Sequence, residues 1–201
     1  MPEISPGSRL LKLSPMLLTG LRAFLAPVVL LLSIYAPKPG AFAVCLVVAF
    51  VSDIFDGILA RRLNVATPTI RRLDSAADTC FYAACAFAAW HLYPMAITER
   101  LLPLCILIAL EALRYTLDFA KFRREASYHM WSSKLWGIGL FVGFFALLVF
   151  ASQGVLVSIA IYLGIVADLE GIAISLILPR WQSDVPSYVH AMRIRANTGL
   201  S

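Results

Sequence analysis

Six apolar runs of about 20 residues each limit what this chain can fold into. They lie at about residues 16–36, 41–63, 73–94, 101–120, 133–152 and 155–178. An α-helix rises about 1.5 Å per residue, so each run is long enough to cross the hydrocarbon core of a bilayer. With 60% of its residues hydrophobic and only 14% charged, the chain is more apolar than a soluble domain. The sequence therefore predicts an all-α membrane protein with six transmembrane helices.

The two ends of the chain are more polar than its middle. Residues 1–14 carry three leucines beside Arg9 and Lys12, which suits either a short interfacial segment on the bilayer surface or an ordinary tail. Residues 15–178 contain all six predicted spans. Pro179 then ends the last helix, and we expect residues 179–201 to form a cytoplasmic tail.

The distribution of basic residues predicts how the helices are oriented. Cytoplasmic loops of membrane proteins carry an excess of Lys and Arg. If the N-terminus is cytoplasmic and the chain crosses the membrane six times, 14 of the 17 Lys and Arg residues lie on the cytoplasmic side. Lys38 and Arg100 lie on the opposite side, and Arg114 lies within a span. Both termini are therefore predicted to face the cytoplasm, and a bacterial inner membrane suits the pattern. Because the basic residues form short clusters between apolar runs, the net charge of +5 does not indicate nucleic-acid binding.

Four aspartates stand where membrane helices rarely carry acids. Asp53 and Asp56 are three residues apart in span two, and Asp74 and Asp78 are four residues apart in span three, so each pair projects from one helix face. Because these helices are consecutive and antiparallel, the two faces can converge just below the cytoplasmic surface. Charges at membrane depth are costly unless they are paired, solvated or bound to a metal. A cluster of hard oxygen ligands suits Mg²⁺ or Mn²⁺, which indicates phosphoryl chemistry.

Small and basic residues follow the first aspartate pair. Gly57 leaves room for a nucleotide or phosphate to approach, and Ala60 lies one turn further along the same face. Arg61 offers a planar guanidinium to phosphate oxygens. A simpler interpretation is that the aspartates only neutralise the basic residues of the loop, although such pairing would cost less in the exposed loop itself. Those basic residues are Arg61, Arg62, Arg71 and Arg72.

Residues 53–78 as a whole resemble the signature of the CDP-alcohol phosphotransferases. That signature is D-x-x-D-G-x-x-A-R-x8-G-x3-D-x3-D, and the chain reads Asp53-x-x-Asp56-Gly57-x-x-Ala60-Arg61 and then Asp74-x-x-x-Asp78. Every element matches in type and spacing except the second glycine, whose position holds Ile70. The run Pro15-x-x-x-Thr19-x-x-Arg22 also resembles the start of the family's first span, although Met16 stands where Asn is common.

The resemblance implies a six-helix, usually dimeric enzyme of phospholipid biosynthesis. Such an enzyme transfers a phosphoalcohol group from a CDP-linked donor, here most simply CDP-diacylglycerol, to an alcohol acceptor and releases CMP. One or two Mg²⁺ or Mn²⁺ ions would be held on the donor's pyrophosphate by Asp53, Asp56, Asp74 and Asp78. Asp78 would also be the general base that removes the proton of the acceptor hydroxyl.

The one departure from the signature, Ile70, falls in the part of the implied site that would bind the nucleotide. The resemblance places Gly57, Ala60 and Arg61 against the nucleotide and its phosphates. Ile70 puts a branched side chain where the family has glycine, which predicts a shifted nucleotide preference or weak activity.

Charged residues outside the signature are candidates for the acceptor site. Lys134, Arg114 and Arg123 would suit a phosphorylated acceptor such as glycerol 3-phosphate. The same cations also satisfy the topology rule without any ligand, and Glu111 can pair with Arg114 one turn away. Inositol phosphate, serine and a second lipid remain open as acceptors.

Two acids in span six need a partner or a function. Asp168 and Glu170 lie at about mid-membrane depth, where an unpaired carboxylate is expensive. Arg22 and Arg114 are both conceivable partners, and the sequence does not choose between them.

Two other classes of protein account for fewer of these residues. A divalent-cation transporter could use the acidic cluster as a transit site, but the cluster is confined to one helix pair beside arginines that would repel cations. A catalytically silent membrane scaffold is the third class, and Ile70 is the feature that favours it.

Overall fold

The computed structural model describes residues 6–62, 68–124, 128 and 130–198, with side chains from residue 16 onward except at 60, 61, 68–71 and 198. These residues contain helices and irregular segments but no strand, in agreement with the all-α prediction. In chain order the helices are α1 Pro6–Tyr35, α2 Pro39–Arg62, α3 Pro68–Leu92, α4 Pro94–Thr98, α5 Leu101–Phe122, α6 Trp131–Phe150, α7 Val155–Ile177 and α8 Tyr188–Thr198.

Local chemistry explains several helix boundaries. The first four helices begin at a proline, a residue whose fixed φ suits the first helical turn and whose missing N–H would have had no partner there. The helix α5 ends where Arg123 adopts a left-handed conformation with φ of 56°. The helix α7 ends because Leu178 precedes Pro179 and is therefore held in an extended conformation.

Four of the six predicted spans are both long and apolar enough to cross a membrane. They are Met16–Tyr35 within α1, Pro39–Leu59 within α2, and the whole of α6 and α7. The helices α3 and α5 are equally long but carry ionisable residues along their length, Asp74 and Asp78 on α3 and Glu111, Arg114 and Asp118 on α5. Passage of α3 and α5 through the bilayer therefore remains a prediction.

Both ends of the chain contain helices in the part that the structure describes. The helix α1 begins at Pro6 and continues without a break into the first span. Residues 1–5 of the predicted interfacial segment lie outside the described residues. In the predicted tail, α8 contacts α7, and Ala191 of α8 is completely buried. Much of the tail is therefore folded onto the helical body.

The chain forms two compact units. The first comprises Met1–Ala96 and Phe144–Ser152, and the second comprises Ile97–Gly143 and Gln153–Ser201. In the first unit α1 packs against both α2 and α3, whereas in the second α5 and α8 pack against α7.

Small side chains form the packing face of α3 in the first unit. Ala77, Ala84, Cys85 and Ala88 recur at helical spacing and are at most 5% exposed. Small residues let membrane helices approach closely, because they hold the backbones apart by little more than a methyl group. This packing face lies next to Asp78 in the sequence, so it fixes the position of the acidic face of α3 relative to α1.

Glycines perform the corresponding role between the helices of the second unit. A Cβ atom added at Gly164 of α7 would lie 2.7 Å from Trp136 Nε1 and 2.8 Å from Leu107 Cδ1. At Gly137 of α6, by contrast, an added Cβ would meet no atom within 4 Å.

This difference gives a stability prediction. We expect Gly164→Ala to lower the free energy of unfolding by about 1–3 kcal/mol, because the indole of Trp136 must shift to admit the methyl group. The matched control Gly137→Ala should leave it unchanged or raise it slightly, since alanine favours a helix more than glycine does. Thermal unfolding of the detergent-solubilised protein measures both. Equal midpoints for the two variants would contradict the prediction.

Candidate active site

The helices α1, α2 and α3 bring the four signature aspartates to one point in the first unit. Arg22 of α1 contacts all of them with its two terminal nitrogens. Nη1 donates to Asp53 Oδ1 at 2.8 Å and to Asp78 Oδ1. Nη2 donates to Asp56 Oδ2 and to Asp74 Oδ1. The side chain of Arg22 is only 1% exposed, so its guanidinium is buried, although three of its four acidic partners are themselves partly exposed.

The oxygens of this cluster are close enough to share a metal ion. Carboxylate oxygens of Asp53, Asp56 and Asp74 lie within 4.8 Å of one another. Asp56 is buried, Asp74 is half-buried and Asp53 is exposed, so the cluster runs from the interior to an open side. Asp78 joins it through the shared guanidinium of Arg22.

The cluster carries an excess of negative charge, which favours the binding of a cation. Four carboxylates and one guanidinium leave a formal charge of −3. Such an excess is costly at membrane depth unless further positive charge enters. Hard carboxylate oxygens are the ligands that Mg²⁺ and Mn²⁺ prefer, and the donor set therefore fits the divalent cations that the signature implies.

Arg22 is the member of this cluster that the sequence does not predict. The sequence places Arg22 in the resemblance of span one and among the conceivable partners of Asp168, but does not connect it with the four aspartates. Thr19 lies one turn earlier on α1, and its Oγ1 is 3.5 Å from Asp56 Oδ2. A useful signal was available, because a basic residue inside an apolar span needs acidic partners at the same depth.

Among the residues whose side chains are described, the four aspartates pair with Arg22 of α1 and not with the loop arginines Arg62 and Arg72. Arg62 and Arg72 are exposed, and the side chains of Arg61 and Arg71 lie outside the described residues.

The nucleotide residues of the signature lie on either side of the undescribed loop. Gly57 is half-buried one residue after Asp56. Ala60 and Arg61 have helical backbones in α2, and Ile70 has one in α3, but their side chains are outside the described part of the chain. Their contacts with a nucleotide therefore stay predictions.

A second group of charges lies in the second unit. Arg114 of α5 is 2.9 Å from Glu111 on the same helix and 3.3 Å from Asp168 of α7. Asp168 is completely buried, and neither of its carboxylate oxygens has a hydrogen-bond partner among the described residues. Arg114 is thus the partner of Asp168, and the pairing with Glu111 is also present. Glu170 accepts hydrogen bonds from Ser132 Oγ at 2.5 Å and from the backbone N–H of Tyr188 at 3.0 Å.

The other two candidate acceptor residues also lie in the second unit. The Nζ of Lys134, in the first turn of α6, is 4.5 Å from the ring centroid of Trp131. Arg123 follows the last residue of α5 and is exposed. His129, the histidine of the basic segment between predicted spans four and five, lies outside the described residues.

Asp118 is a buried acid that sequence reasoning did not single out. Its Oδ1 accepts a hydrogen bond from Ser175 of α7 and lies 3.4 Å from the hydroxyl of Tyr128. Burial raises the pKa of Tyr128 to about 12, so this hydroxyl keeps its proton at neutral pH. Lys121 adds a further contact between α5 and α7, because its Nζ donates to the backbone carbonyls of Ser175 and Leu176. The sequence contains a signal that could have identified Asp118, because Glu111, Arg114 and Asp118 recur along one face of a helix.

Comparison with known proteins agrees with the geometry of the first unit. The family model described as CDP-alcohol phosphatidyltransferase matches residues 12–168, a range that includes Arg22 and all four aspartates. No curated protein and no solved structure matches the chain. The matched range covers well over half of the 201 residues. The chain therefore belongs to the CDP-alcohol phosphatidyltransferase family.

Proposed function

We propose that this transferase moves a phosphatidyl group from CDP-diacylglycerol to an alcohol acceptor and releases CMP. The observation that carries the proposal is the convergence of Asp53, Asp56, Asp74 and Asp78 on one buried guanidinium. The donor set fits divalent cations, and membership of the family gives the reaction class. Diacylglycerol as the lipid part of the donor is our choice among CDP-alcohols, and it suits a chain with four apolar candidate spans.

Each residue of the site has a defined task in the proposed reaction. Mg²⁺ or Mn²⁺ held by the aspartates would neutralise the pyrophosphate and the CMP that leaves. Asp78 removes the proton from the acceptor hydroxyl as the hydroxyl oxygen attacks the phosphorus that carries the lipid. The bond from that phosphorus to CMP breaks, and CMP departs with the electron pair. Gly57, Ala60 and Arg61 bind the nucleotide and its phosphates.

Glycerol 3-phosphate is the acceptor that we propose. Lys134 and Arg123 supply positive charge in the second unit that suits a phosphomonoester. Arg114 is a weaker candidate than Lys134 or Arg123, because Glu111 and Asp168 already engage its guanidinium. A neutral acceptor such as serine would need none of these cations. Assaying phosphorylated and neutral acceptors in parallel therefore distinguishes the two kinds of acceptor.

The arrangement in the membrane completes the proposal. We propose six spans, α3 and α5 in addition to the four apolar helices, with both termini in the cytoplasm. The active site then opens to the cytoplasm of a bacterial cell, where CDP-linked donors and phosphorylated acceptors occur. A homodimer is our expectation from the family.

The function is tested with the full chain in lipid nanodiscs that contain CDP-diacylglycerol. We expect CMP release that needs Mg²⁺ or Mn²⁺ and stops when EDTA is added. Mass spectrometry of the product lipids identifies the acceptor from a panel of glycerol 3-phosphate, inositol phosphate, serine and phosphatidylglycerol. Absence of CMP release with every acceptor, together with divalent-cation flux in liposomes, would favour the transporter instead.

The departure at Ile70 gives a further prediction. We expect Ile70→Gly to lower the KM for the donor by about three- to tenfold, because removing the branched side chain relieves crowding of the cytidine. Ile70→Ala is the matched control, since it removes most of the side chain but adds no backbone freedom. Similar gains in both variants would identify side-chain bulk as the cause. An unchanged KM in both would show that this position does not limit donor binding.

A further inference from the structure

The hydrogen bonds of Arg22 go entirely to the aspartate cluster. Each of its two terminal nitrogens donates to two carboxylates. The remaining donor, Nε, is buried and has no partner. In the described part of the chain, the polar contacts of this side chain are therefore with the four aspartates and not with a neutral group.

A divalent ion and this guanidinium need the same oxygens. Mg²⁺ binds its ligands at about 2.0–2.1 Å in a nearly octahedral shell. The Oδ2 of Asp56 and the Oδ1 of Asp74 both accept from the single nitrogen Nη2, so that nitrogen lies between the two carboxylates. Asp56 and Asp74 would hold the metal ion through carboxylate oxygens that Nη2 contacts, so the ion and the guanidinium would compete for these ligands. A dication and a guanidinium a few ångströms apart also repel each other strongly in a buried site.

Without a bound metal ion, the four carboxylates would still need a counter-charge. Four carboxylates brought together without a counter-ion would repel one another at membrane depth. Arg22 supplies that counter-ion from a neighbouring helix, and it thereby links α1 to α2 and α3.

We propose that Arg22 is the internal counter-ion of the metal site, which holds the four aspartates together until divalent ions displace its guanidinium. The inference rests on the proposed function in one respect, because it takes the cluster to be the metal site of the transferase. On displacement the planar guanidinium becomes available to the phosphate oxygens of the donor, which it suits in charge and geometry. Metal loading and donor binding are then coupled through one side chain.

Mn²⁺ binding to the purified, metal-free full chain tests the proposal without donor or turnover. Electron paramagnetic resonance of free Mn²⁺ gives the Kd. We expect Arg22→Gln to bind Mn²⁺ at least about tenfold more tightly than wild type, because a competitor and a repelling charge are both removed. Arg22→Lys should bind about threefold more tightly or better, since an ammonium group keeps the charge but cannot bridge four carboxylates. Metal-free Arg22→Gln should also unfold at a lower temperature, and Mn²⁺ should raise its midpoint more than that of wild type.

The matched control is Arg72→Gln, which removes the same charge from an exposed position on α3. Screening by solvent should keep its change in Kd below about threefold. An Mn²⁺ affinity that is unchanged or weaker in both Arg22 variants would overturn the proposal, because it would mean that the guanidinium supports the metal-bound site. If Arg22→Gln does not fold, the Kd of Arg22→Lys decides alone. CMP release by wild type is measured separately, so either outcome for Arg22 leaves the test of the transferase intact.

Discussion

Replacing Asp78 by asparagine is expected to lower the rate of CMP release by a factor of about 10²–10⁴. Asparagine has nearly the same shape as aspartate, and its amide oxygen can still accept a hydrogen bond from Arg22. It cannot take a proton from the acceptor hydroxyl at neutral pH. CMP release from CDP-diacylglycerol under saturating Mn²⁺ and acceptor measures the effect.

The dependence of activity on Mn²⁺ concentration distinguishes a metal ligand from the general base. We expect Asp74→Asn to weaken Mn²⁺ binding and to regain part of its activity as Mn²⁺ is raised. Asp78→Asn should stay slow at every Mn²⁺ concentration, because its missing step is proton removal. Recovery of Asp78→Asn to wild-type turnover at high Mn²⁺ would show that Asp78 is only a ligand.

Thermal unfolding distinguishes the loss of the base from a loss of the fold. The metal-free cluster carries a formal charge of −3, and Asp78→Asn reduces it to −2. Repulsion among the carboxylates therefore falls, and the variant should unfold at a temperature no lower than that of wild type. The matched control is Asp184→Asn in the second unit, an exposed position with φ of 58° that asparagine tolerates. This control should keep full activity.

The helices and the acidic pairs could be predicted because their signals are local. Apolar length identifies a candidate span, and a spacing of three or four residues places Asp53 with Asp56 and Asp74 with Asp78 on one helix face. The family signature extends over the same short range. Length alone did not distinguish α3 and α5 from the four more apolar helices, because charged residues reduce the apolarity of a helix but not its length.

The partners of the charges could not be predicted because they depend on helix packing. Arg22 lies 31 residues before Asp53 and 56 before Asp78, and only the packing of α1 on α2 and α3 brings them together. Sequence offered Arg22 and Arg114 equally as partners for Asp168. The structure shows Arg114 in that role, since α5 packs on α7 in the second unit. Long-range pairing of this kind leaves no periodic trace in the sequence.

The buried pair in the second unit gives the largest expected effect on stability. We expect Arg114→Met to lower the free energy of unfolding by about 3–5 kcal/mol, because it leaves Asp168 buried without a counter-charge. Asp168 is completely buried, and no hydrogen bond from the described part of the chain would compensate for the loss of its ion pair. Reversible unfolding in mixed detergent micelles measures the difference from wild type.

A double variant separates the charge from the packing of the long side chain. Adding Asp168→Asn to Arg114→Met should restore most of the lost stability, since no charge is then left buried. Glu111→Gln is the matched control on the same helix. It removes the more exposed of the two acids and should cost about 1 kcal/mol or less, because Arg114 can still pair with Asp168. If Arg114 instead served mainly to bind an acceptor phosphate, Arg114→Met would raise the KM for glycerol 3-phosphate and leave the unfolding free energy near that of wild type.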